Sequence, residues 1–214
     1  ARETEFLINP VIATKPTKYT KGFHFIHVRG FSGKKGFSMK IAIVSDSHDN
    51  RALLEAAVRD AKARGAEAVL HCGDVVAPST LNVLQPLGLP VHVIHGNNSG
   101  DLYMMARIAS KPSSVVKFYG QDAGIELAGK RIFLVHYPHY ATALATTGDW
   151  DIVCCGHDHC AAVTRVANIK GGESLVVNPG TVGGVAAPAT YIFADLEKMT
   201  FEILGVEAEV RAAI

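Results

Sequence analysis

The chain has 214 residues, 48% hydrophobic and 19% charged. That is enough for one main domain with its own core, and too apolar for bulk disorder. The net charge of +1 hides an asymmetry: residues 1–40 carry 8 Lys and Arg against 2 Asp and Glu, residues 41–214 carry 13 against 18. A mildly acidic body argues against a nucleic-acid-coating domain. No window offers about 18 consecutive apolar residues, so no membrane span is expected. Residues 1–38 lack an apolar stretch ending in a small-residue cleavage site, so no secretory leader is expected.

In chain order, residues 1–38 form a basic segment with six aromatics, in which Phe23 to Val28 could extend as a strand. They are expected to be an extension without catalytic role, non-native or a basic arm, with the folded domain running over residues 39–214. After Met39 the pattern predicts a strand over 40–45 and a helix from Arg51 to Arg64. Asn50 is placed to cap this helix, Leu53, Leu54, Ala57, Val58 and Ala61 form its apolar face, and Gly65 suits its end. A strand over 67–71, a short helix near 79–86, a strand over 90–95 and a helix over 101–110 follow. Ala128-Gly129-Lys130 between two apolar runs reads as a hairpin. Short strands recur near 151–155, 162–167, 174–178, 190–195 and 200–205. The first half is thus βαβαβ and the second half mostly short β, an α/β sandwich of packed sheets with helices outside.

Chemistry-bearing residues sit just after the strands, where an open α/β sheet presents its ligands. Asp46-Ser47-His48 follows the first strand, Gly73-Asp74 the second and Gly96-Asn97-Asn98 the third. His136 ends the hairpin strand, and Gly156-His157-Asp158-His159 ends the strand after it. Positions i and i+2 of an extended chain point the same way, so Asp46 and His48 can reach one ion. Two carboxylates, one amide oxygen and four imidazoles suit Mn, Fe, Zn, Co or Ni better than Mg or Ca. Seven ligands exceed one tetrahedral ion and suffice for two if one carboxylate bridges, a clamp suited to in-line displacement at phosphorus. Cys72, Cys154, Cys155 and Cys160 lack zinc-site spacing and read as reduced thiols of a cytoplasmic protein.

The ordered set Asp-x-His, Gly-Asp, Gly-Asn, His, Gly-His-x-His resembles the calcineurin-like metallophosphoesterases, and more closely their small prokaryotic phosphodiesterase branch. The late turn Asn178-Pro179-Gly180-Thr181 is similar to that branch as well. The resemblance implies a four-layer αββα sandwich of two mixed β-sheets flanked by helices. It implies one metal held by Asp46, His48, Asp74 and His159, and a second held by Asp74, Asn97, His136 and His157, with a metal-bridging hydroxide as nucleophile. Manganese is the expected divalent ion, with Ni, Fe, Co and Zn as alternatives. Asp74, Asn97, Asn98 and His136 are the expected catalytic positions.

Two positions depart from the family pattern. Asn98 stands where many members carry a His that protonates the leaving oxygen, which fits the diesterase branch and disfavours a phosphomonoesterase. Tyr137 stands after His136, where Gly is common. His71 is a candidate hydrogen-bonding support, His95 and His139 are candidate substrate contacts, and Asp158 reads as a turn residue. Ser45, Ser47 and Thr181 lack an identifiable His-carboxylate dyad. The expected partner is a small phosphate-ester substrate, with no membrane, no nucleic-acid polymer and a homo-oligomer left open. The same fold also serves as a non-catalytic scaffold in a trafficking coat, and the complete ligand set favours the enzyme.

Overall fold

In a computed structural model, which describes residues 39–207, eleven strands form two mixed sheets. The first runs β11(Thr200–Gly205)-β10(Thr190–Asp195)-β1(Lys40–Val44)-β2(Ala68–His71)-β3(Val91–Val93)-β4(Val116–Phe118). The second runs β5(Ala123–Leu127)-β6(Lys130–Leu134)-β7(Ile152–Cys154)-β9(Glu173–Asn178)-β8(Ala162–Ala167). β1 to β4 are mutually parallel, as are β6, β7 and β9; β10, β11, β5 and β8 pair antiparallel.

Strand alternation sorts the apolar side chains into layers. Ile41, Ile43 and Leu70 point between the sheets, where they meet Ile125, Ile132, Leu134 and Ile152. Ala42, Val44, Val69 and Val91 point outward, onto helix α1(Arg51–Ala63), a 3₁₀ helix over Pro78–Leu87 and helix α2(Leu102–Ala109). Phe133, Val135 and Val153 point the other way, onto Ala141 and Ala145 of helix α3(Pro138–Thr146). The result is the four-layer αββα sandwich.

α1 begins where its cap dictates: the Asn50 side chain accepts from the Leu53 amide at 3.2 Å. Leu54, Ala57, Val58 and Ala61 are buried as expected, while Leu53 is half-buried. The helix expected near 79–86 is a 3₁₀ helix over Pro78–Leu87, and Pro86 within it donates no backbone hydrogen bond. The expected strand over 90–95 stops at Val93, and Ile94 onward leaves the sheet. β4 and α3 were not anticipated: β4 has three residues, and α3 buries only Ala141 and Ala145, too little apolar surface to register as a helical stripe. The expected extension over residues 1–38, including a strand over Phe23 to Val28, lies outside the described residues. No helix among the described residues is long and apolar enough to cross a membrane. The four cysteines are unpaired, three of them buried.

Candidate metal centre

The C-terminal ends of β1, β2, β3, β6 and β7 meet at one edge of the sandwich, and every expected ligand lies in the loops that leave them. Backbone bonds tie these loops together. The Asp46 amide donates to the Gly73 carbonyl, the His48 amide to the Asp74 carbonyl and the Gly156 amide to the His136 carbonyl, all near 3.0 Å. On the far side, Gly183 N–H and the Thr181 hydroxyl both donate to the Asp46 carbonyl, at 3.1 and 2.8 Å.

Asp46 and His48 do converge, but not through an extended chain. Asp46, His48, Asp74, His157 and His159 all have left-handed backbones, with φ of 53°, 40°, 55°, 77° and 59°. Such conformations cost a non-glycine residue about 1–3 kcal/mol each and persist where surrounding structure enforces them. They turn each side chain inward. Glycines leave the space: a Cβ on Gly96 would lie 2.1 Å from Asp74 Oδ1, and one on Gly156 2.4 Å from Asp46 Oδ2.

Two groups of donors result. His48 Nε2 lies 3.3 Å from His159 Nε2 and 3.8 Å from Asp46 Oδ1, and His159 Nε2 is 3.3 Å from that same oxygen. His136 Nε2 lies 3.0 Å from Asn97 Oδ1 and 3.4 Å from Asp74 Oδ1, and His157 Nδ1 is 2.9 Å from Asn97 Oδ1. Asp74 divides its carboxylate between them: Oδ2 is 3.7 Å from His48 Nε2, while Oδ1 faces His136. Asp46 also groups with Asp74 and His136, so the clusters are contiguous.

Hydrogen bonds on the far side of the rings fix the tautomers. His136 Nδ1–H donates to the Cys72 carbonyl at 2.8 Å, and His159 Nδ1–H to the Val185 carbonyl at 2.7 Å. When these imidazoles are neutral, each Nε2 presents a lone pair to the cluster. Asp46 is fully buried, its Oδ1 has no hydrogen-bond partner, and its Oδ2 accepts from the His157 amide at 3.0 Å. A buried carboxylate oxygen without a hydrogen-bond partner, set beside two imidazole nitrogens, calls for a cation. The mixed N/O donor set fits a divalent transition metal.

Burial works against the charge of Asp74, yet hydrogen bonds from His136 and Asn98 outweigh it and hold its pKa below the usual carboxylate range. Burial likewise opposes protonation of His136, but its bonds to Asp74 and the Cys72 carbonyl win and raise its pKa. Buried His71 is pushed down to about 3 by desolvation first and by His136 second. With Gly73 N–H donating to its Nδ1, its Nε2–H reaches the Ser47 hydroxyl at 3.1 Å, so it supports the Asp46 loop.

Asn98 joins the site through both oxygens of Asp74. Tyr137 packs its ring 4.7 Å from that of His157 and 5.3 Å from that of His136. Asp158 is a turn residue, accepting from Cys160 N–H and Asn178 Nδ2. His95 is half-buried with Nδ1 donating to the Gly96 carbonyl, and His139 is exposed on the first turn of α3. His92 is buried against Tyr119 instead. The sequence reading missed the Val185 carbonyl, for which any residue serves. It also missed Gly183, where a Cβ would lie 2.5 Å from the Ser47 carbonyl; the Gly183-Gly184 pair was the available signal.

Residues 39–199 match the calcineurin-like phosphoesterase superfamily domain. A phosphodiesterase of Methanocaldococcus jannaschii is 26% identical over 172 residues, 79% of this chain and 100% of the relative. A probable metallophosphoesterase of Methanothermobacter thermautotrophicus is 27% identical over 188 residues, 80% of this chain and 95% of the relative. The solved structure of an archaeal phosphodiesterase shares the fold, with a TM-score of 0.70 at 24% identity, covering 79% of this chain and 100% of that one.

Proposed function

Because the chain belongs to the calcineurin-like phosphoesterase superfamily, a family of metal-dependent phosphoric ester hydrolases, we propose that it is a two-metal phosphodiesterase. The observation that carries this reading is the division of Asp74, whose two oxygens face different imidazoles. Asp46, His48, Asp74 and His159 would hold one cation, and Asp74, Asn97, His136 and His157 the other. Two divalent cations, when bound, activate water and offset the charge of the phosphate oxygens. Manganese is the first ion to test, with Fe, Co, Ni and Zn compatible with the same donors.

The chain's own residues supply position and polarity. The Cys72 and Val185 carbonyls hold His136 and His159 in the tautomer that presents Nε2. The Asp74 carboxylate stays ionised under the hydrogen bonds of Asn98. Asn98 donates hydrogen bonds but carries no transferable proton, so a leaving group must depart with little help from position 98. This favours diesters with good leaving groups over alkyl monoesters. The similarity to two archaeal proteins named as a phosphodiesterase and a probable metallophosphoesterase supports the same class.

The test is a parallel screen of manganese-reconstituted protein against bis(4-nitrophenyl) phosphate and 4-nitrophenyl phosphate. Faster hydrolysis of the diester is expected. A clear preference for the monoester would overturn the diesterase assignment.

A further inference from the structure

Tyr137 leads straight from the ligand His136 into α3, whose first turn contains Pro138, His139 and Tyr140. Pro138 at the start of the helix pre-sets the backbone, so these rings stand on a defined support. They form one cluster: Tyr137 lies 5.7 Å from His139 and 5.7 Å from Tyr140, and His139 lies 4.2 Å from Tyr140. Through Tyr137 the cluster continues onto His157, at 4.7 Å. Tyr140 is 51% exposed, and His139 is exposed as well. Among the described residues, none of the side chains of Tyr137, His139 and Tyr140 makes a hydrogen bond. The rim beside His159 is of another kind: the Val185 carbonyl holds His159 Nδ1, and its neighbours Gly183, Gly184 and Ala186 are small. The site therefore has one aromatic wall and one rim of mostly small residues.

We propose that Tyr137, His139 and Tyr140 are a docking wall for a planar aromatic group on the retained ester, so that preferred substrates are phosphodiesters whose non-leaving substituent carries an aryl group or a nucleobase. The proposal rests on the phosphodiesterase reading. Ring pairs attract at centroid separations of about 4.5–7 Å. The Tyr137 ring lies 4.7 Å from that of His157 and 5.3 Å from that of His136, so a substituent on a phosphate bound at these ligands would lie beside it. An exposed tyrosine at a binding site offers a large, amphipathic contact at low entropic cost, because only two χ angles need fixing. Stacking on an aromatic side chain is tolerant of the ring's identity, which is why both an aryl group and a nucleobase fit.

The test uses three diesters that share 4-nitrophenolate as leaving group and carry methyl, phenyl or 5′-thymidyl as the retained ester. The manganese-loaded protein is compared with Tyr137→Leu, Tyr137→Phe and Tyr140→Ala. The kcat/KM ratio of the phenyl or thymidyl ester to the methyl ester is expected to fall about tenfold in Tyr137→Leu. It should fall less in Tyr140→Ala and hold in Tyr137→Phe. Comparing ratios between variants cancels the intrinsic reactivity of each ester and any general loss of activity. Independently of turnover, calorimetry should show phenylphosphonate binding about tenfold tighter than methylphosphonate to the parent protein, and the advantage lost in Tyr137→Leu. A thymidyl rate above the phenyl rate assigns the wall to nucleobases; the reverse assigns it to simple aryl groups. Hydrolysis of all three esters with ratios that no variant changes would overturn the aromatic wall and leave the phosphodiesterase reading intact. No hydrolysis of any ester at full metal loading would overturn that reading, and the phosphonate affinities would still judge the wall.

Discussion

Asn98 grips Asp74 at both of its carboxylate oxygens, through backbone N–H to Oδ1 at 2.8 Å and side-chain Nδ2 to Oδ2 at 2.6 Å. A side chain at position 98 therefore reaches the carboxylate that joins the two donor groups. An amide there can polarise but cannot protonate. Nitrophenyl diesters should be hydrolysed far faster than simple alkyl esters at equal metal loading. Asn98→His should narrow that gap, by no more than the ~10²–10⁴-fold that a general acid provides. The rate ratio of the two ester classes is the measurement. An unchanged ratio in a fully loaded variant would mean either that another residue, with His95 and His139 the candidates, already donates the proton, or that position 98 does not face the leaving group.

Gly96 has no left-handed backbone, so its role is space alone. A Cβ there would meet Asp74 Oδ1 at 2.1 Å and His136 Nε2 at 2.8 Å. Overpacking of this kind typically costs about 1–3 kcal/mol. Gly96→Ala should weaken metal binding by roughly tenfold or more, read by calorimetric titration. Gly205→Ala is the control, because its added Cβ meets nothing within 4 Å.

His92 links the fold to pH away from the metal ligands. It is buried in β3 with Nδ1 2.7 Å from the Tyr119 hydroxyl. Burial first, and Lys117 second, push its pKa down to about 4. An unfolded imidazole titrates near 6.5. Between those values the unfolded chain binds a proton that the folded one refuses. Its contribution to stability is complete above about pH 6.5 and is lost as pH falls toward 4. Denaturant unfolding of chelator-treated protein at pH 7.5 and 4.5 should show a smaller acid loss in His92→Gln than in the parent, by about 2 kcal/mol. Equal losses would contradict the assignment.

The strand ends carried most of what could be read in advance. Lys40–Val44 is apolar and followed by Asp46, and Asn50 caps a helix whose buried face repeats at helical spacing. Polar residues placed just past such strands fall at one edge of a parallel sheet. The local route was not legible. Left-handed turns at Asp46, His48 and Asp74 occur at residues without a Cβ-free signature, and the tertiary bonds of the Gly73, Asp74 and Gly183 backbones enforce them. The Val185 carbonyl that orients His159 leaves no trace in residue type. α3 was hidden by its alanines, and Tyr137, readable only as a departure, becomes an aromatic wall once α3 stands beside it.

The most direct test of Asp74 as a shared ligand is metal stoichiometry and position, by elemental analysis and anomalous diffraction of manganese-saturated protein, with Asp74→Asn and His48→Ala alongside. The prediction is two cations per chain, on either side of Asp74 and roughly 3.5–4 Å apart. Asp74→Asn should weaken both, and His48→Ala mainly one. A saturated protein with no cation bonded to Asp74, or an Asp74→Asn variant that keeps both ions at the parent affinity, would contradict it.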